Sequence, residues 1–237
     1  MSNPYFRFKQ FTVFHDNCAM KVGIDGVLLG VWTPISNAKN ILDIGTGTGL
    51  IALMLAQRSS AMLTAIDIDQ AAVCQARENV LNSPWKDRVA VQRCSLQEFT
   101  ATEATTFDLI VSNPPYFVNS LKNPDKNRTT ARHTDSLTHE ELINDSLNLL
   151  STGGRLCIIL PINEGMQCVD FAQSKGLFCS KQVKVFPKPG ALAKRLLLEF
   201  GFTKVDTVVS ELMIETEDRH HYSTEFSVLA KDFYLKL

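Results

Sequence analysis

The sequence predicts an α/β fold built on a mostly parallel sheet with helices on both faces. From Asn40 onward, short apolar runs alternate with amphipathic segments, a βαβα order that packs as a parallel sheet covered on each side. Near the end of the chain, two apolar segments flank a Pro-Lys-Pro-Gly turn, which predicts an antiparallel hairpin. With 237 residues, 45% of them hydrophobic, there is enough chain to bury a sizeable core, and the length suits one large domain spanning 1–237.

Residues 5–14 alternate aromatic or aliphatic with polar side chains (Phe6, Phe8, then Phe11 and Val13), which predicts a strand or hairpin with one buried face. Residues 1–36 are therefore read as an N-terminal lid or brace, and 37–237 as the core. Strands are expected at Ile41–Ile44 and Met62–Ile68, with helices at Gly49–Arg58 and Gln70–Asn82. Further strands follow at Val89–Arg93 and Phe107–Ser112. A helix over Thr138–Leu150 should stop at Gly153-Gly154, where a C-cap glycine is expected. Arg155–Leu160 reads as a buried strand and Glu164–Lys175 as a helix, and Gln182–Phe186 and Arg195–Phe202 form the closing hairpin. No repeat, low-complexity tract or linker divides the chain.

A formal net charge of −1 gives no overall attraction to a polyanion, so any nucleic-acid interface must rest on local patches. Six scattered cysteines without a Cys-x-x-Cys pair read as reduced core residues of a cytoplasmic protein. The opening residues lack the apolar region of a signal peptide, and Leu50–Ala56 is far too short to span a bilayer, so a soluble protein without a membrane segment is expected.

Asp43-Ile-Gly45-Thr-Gly47-Thr-Gly49 sits between a strand and a helix, where glycines let the backbone approach a ligand and amides at the helix start can face it. The alternative is a tight turn with no ligand. The third glycine falls one residue early for the dinucleotide fingerprint, whose last position is Leu50. The pattern instead resembles motif I of the class I S-adenosyl-L-methionine-dependent methyltransferases, with Asp43 ahead of Gly45, Gly47 and Gly49. In Ala65-Ile-Asp67-Ile-Asp69, Asp67 ends the second strand and can accept both ribose hydroxyls of a nucleoside, whereas Asp69 is placed to cap the next helix. After the third strand, Ser95 stands where many such proteins carry an Asp against the cofactor's adenine, and Gln97 or a main-chain amide is a substitute.

At the end of the fourth strand comes Ser112-Asn-Pro-Pro-Tyr-Phe117. The side-chain oxygen of Asn113 and the carbonyl of Pro114 are neighbouring acceptors, and the prolines stiffen the turn while removing N–H donors. Such a pair suits a planar –NH2 group, which it would orient while favouring positive charge on nitrogen during transfer. Tyr116 offers a flat face for stacking a base. The alternative is an ordinary rigid turn. Asn-Pro-Pro-Tyr resembles motif IV of the amino-methyltransferases, a motif shared by N6-adenine, N2-guanine and protein-glutamine N5 enzymes. The implied reaction is in-line displacement on a sulfonium methyl with no metal. His220-His221, adjacent residues in an acidic stretch, read as solvated rather than as ligands.

Two basic clusters favour RNA: Lys184, Lys188, Lys194 and Arg195 in a segment, 181–195, without acids, and Lys122, Arg128 and Arg132 directly after Tyr116. A solvated surface balanced by the acidic stretch 206–225 is the alternative. Resemblance covers nearly the whole chain: Phe8-Lys-Gln-Phe11, Cys18-Ala-Met-Lys-Val-Gly23, Asp25-Gly-Val-Leu-Leu-Gly30, Ser83-Pro-Trp85, Ser112-Asn-Pro-Pro-Tyr116 and Phe233-Tyr-Leu235 look like the bacterial tRNA(Val) adenine-37 N6-methyltransferases. That resemblance implies a seven-stranded, Rossmann-like class I sheet, S-adenosyl-L-methionine as cofactor, tRNA as partner, and the N6 amine of the adenine 3′ of the anticodon as target. It also places Lys21, Gly23 and Asp25 beside the cofactor, although Asp25 equally suits a helix cap. Protein-glutamine N5 and N2-guanine methylation remain the alternatives that use the same motif. The oligomeric state is open.

Overall fold

The computed structural model describes residues 3–16, 18, 21–115, 137–218 and 221–236. Tyr5–Arg7 (β1) and Thr12–Phe14 (β2) pair as the expected antiparallel hairpin. The chain then runs through α1 (Ile24–Trp32), β3 (Asn40–Ile44), α2 (Leu50–Arg58), β4 (Met62–Asp67), α3 (Gln70–Leu81) and β5 (Val89–Arg93). It continues with α4 (Leu96–Thr102), β6 (Phe107–Ser112), α5 (His139–Leu149), β7 (Leu150–Pro161), α6 (Ile162–Ser174), β8 (Phe178–Phe186), β9 (Arg195–Gly201), β10 (Val208–Met213) and α7 (Thr224–Ala230).

The main sheet has the order β10-β8-β9-β7-β6-β3-β4-β5, and β9 is its one antiparallel strand. Seven of these strands follow the expected arrangement, including the β8–β9 hairpin. The eighth, β10, pairs parallel to β8 and extends the sheet within the acidic stretch 206–225, where no strand was expected.

The strands are apolar on both sides because each side has a core of its own. Along β7, Cys157 and Ile159 join the core beneath α1 and α2, while Leu156, Ile158 and Leu160 join the core beneath α4, α5 and α6. Phe8 and Phe11 of the hairpin, together with Phe226 and Phe233 near the chain end, complete the first core. Helix α1 lies close against α2 at Gly30, where an added Cβ would come within 2.6 Å of the Met54 sulfur.

One expectation is corrected in position. Gly153-Gly154 does not cap α5, which ends at Leu149; the pair lies inside β7, at a register shift opposite Phe107. A Cβ on Gly154 would meet the carbonyl oxygen of Phe107 at 2.7 Å, so the glycine serves close backbone approach at a bulge. Helices α4 and α5 begin instead with capping boxes, Ser95 with Glu98 and Thr138 with Glu141.

The chain winds outward from β3 through β4 to β5, then returns to β6 on the other side of β3. That reversal between β3 and β6 opens the crevice at the carboxyl ends of the strands in which open α/β sheets bind ligands.

Candidate active site

Three loops leave the sheet from a single row. Ile44 is the register partner of Ile66 on β4 and of Ser112 on β6. Gly45, Asp67 and Asn113 are the next residue on each strand, so the glycine loop, the acid and the start of Asn-Pro-Pro emerge side by side, at strand spacings of about 5 Å. The Ser112 hydroxyl fixes one neighbour to the next by donating to the Ile44 carbonyl at 2.9 Å. Asn113 is half-buried, Pro114 buried and Pro115 exposed. Tyr116 lies outside the described residues.

The glycine loop is held mainly by β4. Gly45 and Thr46 donate N–H to the Ile66 carbonyl at 2.9 and 3.0 Å, Gly49 donates to the Thr46 carbonyl at 2.9 Å, and Gly47 donates to Asp67 Oδ2 at 2.8 Å. Three of these amides are spent on β4 and that of Gly49 on the loop itself. What the glycines contribute is space: Gly45 and Gly47 have φ of +69° and +57°, and a Cβ built on either meets nothing within 4 Å. Gly49, at φ +80°, has a different task, since its added Cβ would touch the Ala76 Cβ of α3 at 3.4 Å.

Two carboxylates lie under this loop. Asp43 is fully buried; its Oδ2 accepts from the Thr46 hydroxyl at 2.6 Å and the Ala52 N–H at 3.1 Å, while Oδ1 has no partner among the described residues. Burial pushes its pKa up to about 7; the two hydrogen bonds pull the other way, and the neighbouring Asp67 adds to the rise. Asp67 is half-buried and accepts Gly47 N–H on one oxygen and Asp69 N–H on the other, at 2.9 Å. A carboxylate has about four acceptor positions, so its capacity to take two hydroxyls persists. Asp69 caps α3 as expected, accepting from Ala71 N–H at 2.9 Å.

The remaining expected cofactor contacts divide. Ser95 is the N-cap of α4: its hydroxyl accepts from Glu98 N–H at 3.1 Å and donates to Glu98 Oε2 at 3.0 Å, so the capping box engages it in both directions. The Ser95 N–H, which donates to Glu98 Oε2 at 2.9 Å, and then the Ser95 hydroxyl hold the Glu98 carboxyl below its ordinary range. Gly23 is the N-cap of α1, with no side-chain cap, and Lys21 is exposed just before it. Asp25 stands in the first turn of α1 and is not the cap; its Oδ2 accepts from Arg195 Nε at 2.9 Å.

That ion pair ties α1 to the first residue of β9, at the same sheet edge. Arg195 is thus directed toward Asp25 and the Lys194 carbonyl. Lys188 and Lys194 are exposed in the turn between β8 and β9, and Lys184 lies on β8 opposite Glu211 of β10. The acidic stretch follows closely, because Glu215 N–H donates to the Pro187 carbonyl at 3.0 Å. Lys122, Arg128 and Arg132 lie outside the described residues. The described residues contain no group of His, Cys, Asp and Glu arranged to hold a metal, and no helix long and apolar enough to cross a membrane.

Sequence reasoning missed Asn79, whose fully buried side chain reaches the glycine loop at the carbonyl of Thr48, 2.9 Å away. The signal was present: Asn79 falls in the helical stripe of Ala72, Ala76 and Val80, where an amide among apolar residues needs partners.

An open cradle over Gly45 and Gly47 and a carboxylate with acceptor capacity at the second strand suit a nucleoside cofactor. Among known proteins, the chain matches the methyltransferase small domain family over residues 26–183. It is 52% identical over 237 residues, covering 100% of both chains, to a protein of Parabacteroides distasonis named tRNA1(Val) (adenine(37)-N6)-methyltransferase. Proteins of the same name from Trichodesmium erythraeum and Pectobacterium carotovorum are 48% and 44% identical, covering 100% and 97% of this chain and 100% and 93% of theirs. Among solved structures, a predicted O-methyltransferase from Agrobacterium tumefaciens superposes with a TM-score of 0.68 at 19% identity, covering 88% of this chain and 96% of that one. A ribosomal protein L11 methylase from Lactobacillus delbrueckii gives 0.58 at 16%, covering 80% and 83%. These two likenesses concern the fold alone.

Proposed function

The chain belongs to the methyltransferase small domain family and, over its full length, to the tRNA1(Val) (adenine(37)-N6)-methyltransferases, and from that premise we propose that it methylates N6 of adenine 37 in tRNA1(Val) with S-adenosyl-L-methionine. The observation that carries the reading is the shared row Ile66–Ile44–Ser112, which sets Asn113 one residue from the glycine loop's own strand. S-adenosyl-L-methionine, when bound, supplies a methyl group on a positively charged sulfur. Gly45 and Gly47 give it room, and Asp67 takes its ribose hydroxyls.

Asn113 Oδ1 and the Pro114 carbonyl accept the two N–H bonds of the adenine amine. This orients the nitrogen lone pair and favours the positive charge that grows on it. Tyr116 stacks on the extruded base. Neither acceptor has to remove the proton before transfer, because the methylated amine, once cationic, loses it readily to water. The exposed lysines of the β8–β9 turn, with Lys122, Arg128 and Arg132, bind tRNA phosphates. The chain acts as one domain in the cytoplasm, its first 36 residues serving as the brace.

Purified protein, labelled cofactor and unmodified tRNA1(Val) test the reading. Asn113→Ala should abolish transfer while cofactor affinity, measured by calorimetry, survives. Transfer that persists in this variant would sink the proposed chemistry. Tyr116→Ala should weaken base capture by about 1–3 kcal/mol, seen as a raised KM for tRNA.

A further inference from the structure

Asn79 lies in α3, two residues from its end, and none of its side-chain hydrogen bonds is to its own helix. Oδ1 accepts from the N–H of Phe14 at 2.9 Å; Nδ2 donates to the Phe14 carbonyl at 2.9 Å and to the Thr48 carbonyl at 2.9 Å. These partners fix the orientation of the amide, since one N–H needs an oxygen and two carbonyls need the –NH2. Toward Phe14 the side chain imitates a neighbouring strand, taking both main-chain polar groups on the edge of β2. Toward Thr48 it reaches the middle of the glycine loop. Thr48 stands between Gly47 and Gly49, both in the left-handed region, so local backbone preference does little to fix this part of the loop.

Each nearby substitution fails for a stated reason. A carboxylate at this position would face two carbonyls, a glutamine is one methylene too long, and an apolar side chain would leave buried main-chain groups of two separate segments without partners.

We propose that Asn79 is a positioning residue for the cofactor site: it ties the Thr48 carbonyl of the glycine loop to the edge of the N-terminal hairpin, so that loop occupancy and hairpin order rise together. This rests on the reading of the loop as the S-adenosyl-L-methionine site.

Amide hydrogen exchange on the full-length protein, with and without S-adenosylhomocysteine, reads both ends of the tie. In the unaltered protein the ligand should slow exchange in the loop and also at Phe14. Protection confined to the loop overturns the proposal without recourse to any variant. In Asn79→Asp, which keeps the acceptor for Phe14 N–H and loses both donors, the Phe14 response should vanish and the ligand Kd rise about tenfold, with kcat retained at saturating cofactor. Leu149→Ala, a destabilising change in the opposite core, should leave Kd unaltered; an equal rise there would reduce Asn79 to a general structural role. If the unaltered protein binds no S-adenosylhomocysteine, the reading of the loop fails, and ligand-free exchange decides the tie by itself: Asn79→Asp must then accelerate exchange at Phe14 and in the loop, and no acceleration overturns it.

Discussion

Asp43 carries the clearest pH signature in the molecule. Its carboxyl is pushed from an ordinary 3.8 up to about 7, first by burial, so the folded chain keeps a proton that the unfolded chain has already released. The stability this residue contributes is therefore complete below about pH 4 and is lost as pH rises to about 7. Asp43→Asn removes that titration. Thermal unfolding at a series of pH values should show the variant gaining on the unaltered protein across this window, and a gap that stays flat would mean that Asp43 is ionised in the fold. At this scale the sequence located residues whose position follows from the strands: Asp67 closes β4, Asn113 follows β6, Asp43 is the penultimate residue of β3 and Asp69 caps α3. It did not reveal partners chosen across the fold. The Ser95 hydroxyl is engaged by Glu98, and Asp25 is paired with a residue 170 positions away.

Among the elements, the β8–β9 hairpin is tied to α1. Its first β9 residue, Arg195, is paired with Asp25 at 2.9 Å, and both side chains are less than a third exposed, at 27% and 18%. A double-mutant cycle of Arg195→Met and Asp25→Asn should give a coupling of about 1–2 kcal/mol, between the range of exposed pairs and that of charge-assisted hydrogen bonds. A coupling near zero would leave the hairpin free of α1. Lys188→Gln and Lys194→Gln should each weaken tRNA binding and reduce its dependence on log salt by about 1, with cofactor affinity unaltered. An unchanged slope would take these lysines out of the interface. The hairpin itself was legible from Pro187 to Gly190, because prolines and a glycine between apolar runs have few other uses. Strand β10 was not, since Val208 and Val209 lie exposed and the segment sits within an acidic stretch. Gly153-Gly154 misled for a related reason: glycine serves both helix ends and bulges, and only the register across β6 decides between them.

Across the whole molecule, the two ends of the chain are fastened together by aromatic rings. Phe8 packs on Phe6 and Phe11 at 4.7 Å and meets Phe233 and Tyr234 edge-on at 6.4 and 6.1 Å, while the N–H of Lys9 donates to the Phe233 carbonyl at 2.8 Å. Phe8→Ala should cost about 3–5 kcal/mol in denaturant unfolding, and a loss below about 1 kcal/mol would show the hairpin to be dispensable to the core. The architecture was readable in advance because parallel strands buried on both sides force continuous apolar runs, and open α/β sheets bind ligands where the strand order reverses, here between β3 and β6. The identity of the amine was not readable from that architecture, since Asn113 and Pro114 would accept an adenine, a guanine or a carboxamide alike. The measurement that bears most directly on it is the position of the methyl group. Unmodified tRNA1(Val), incubated with the protein and S-adenosyl-L-methionine and then digested, should carry N6-methyladenosine at adenine 37 and nowhere else. Methylation at another nucleotide, or none on tRNA while a protein glutamine is methylated under the same conditions, would contradict the account.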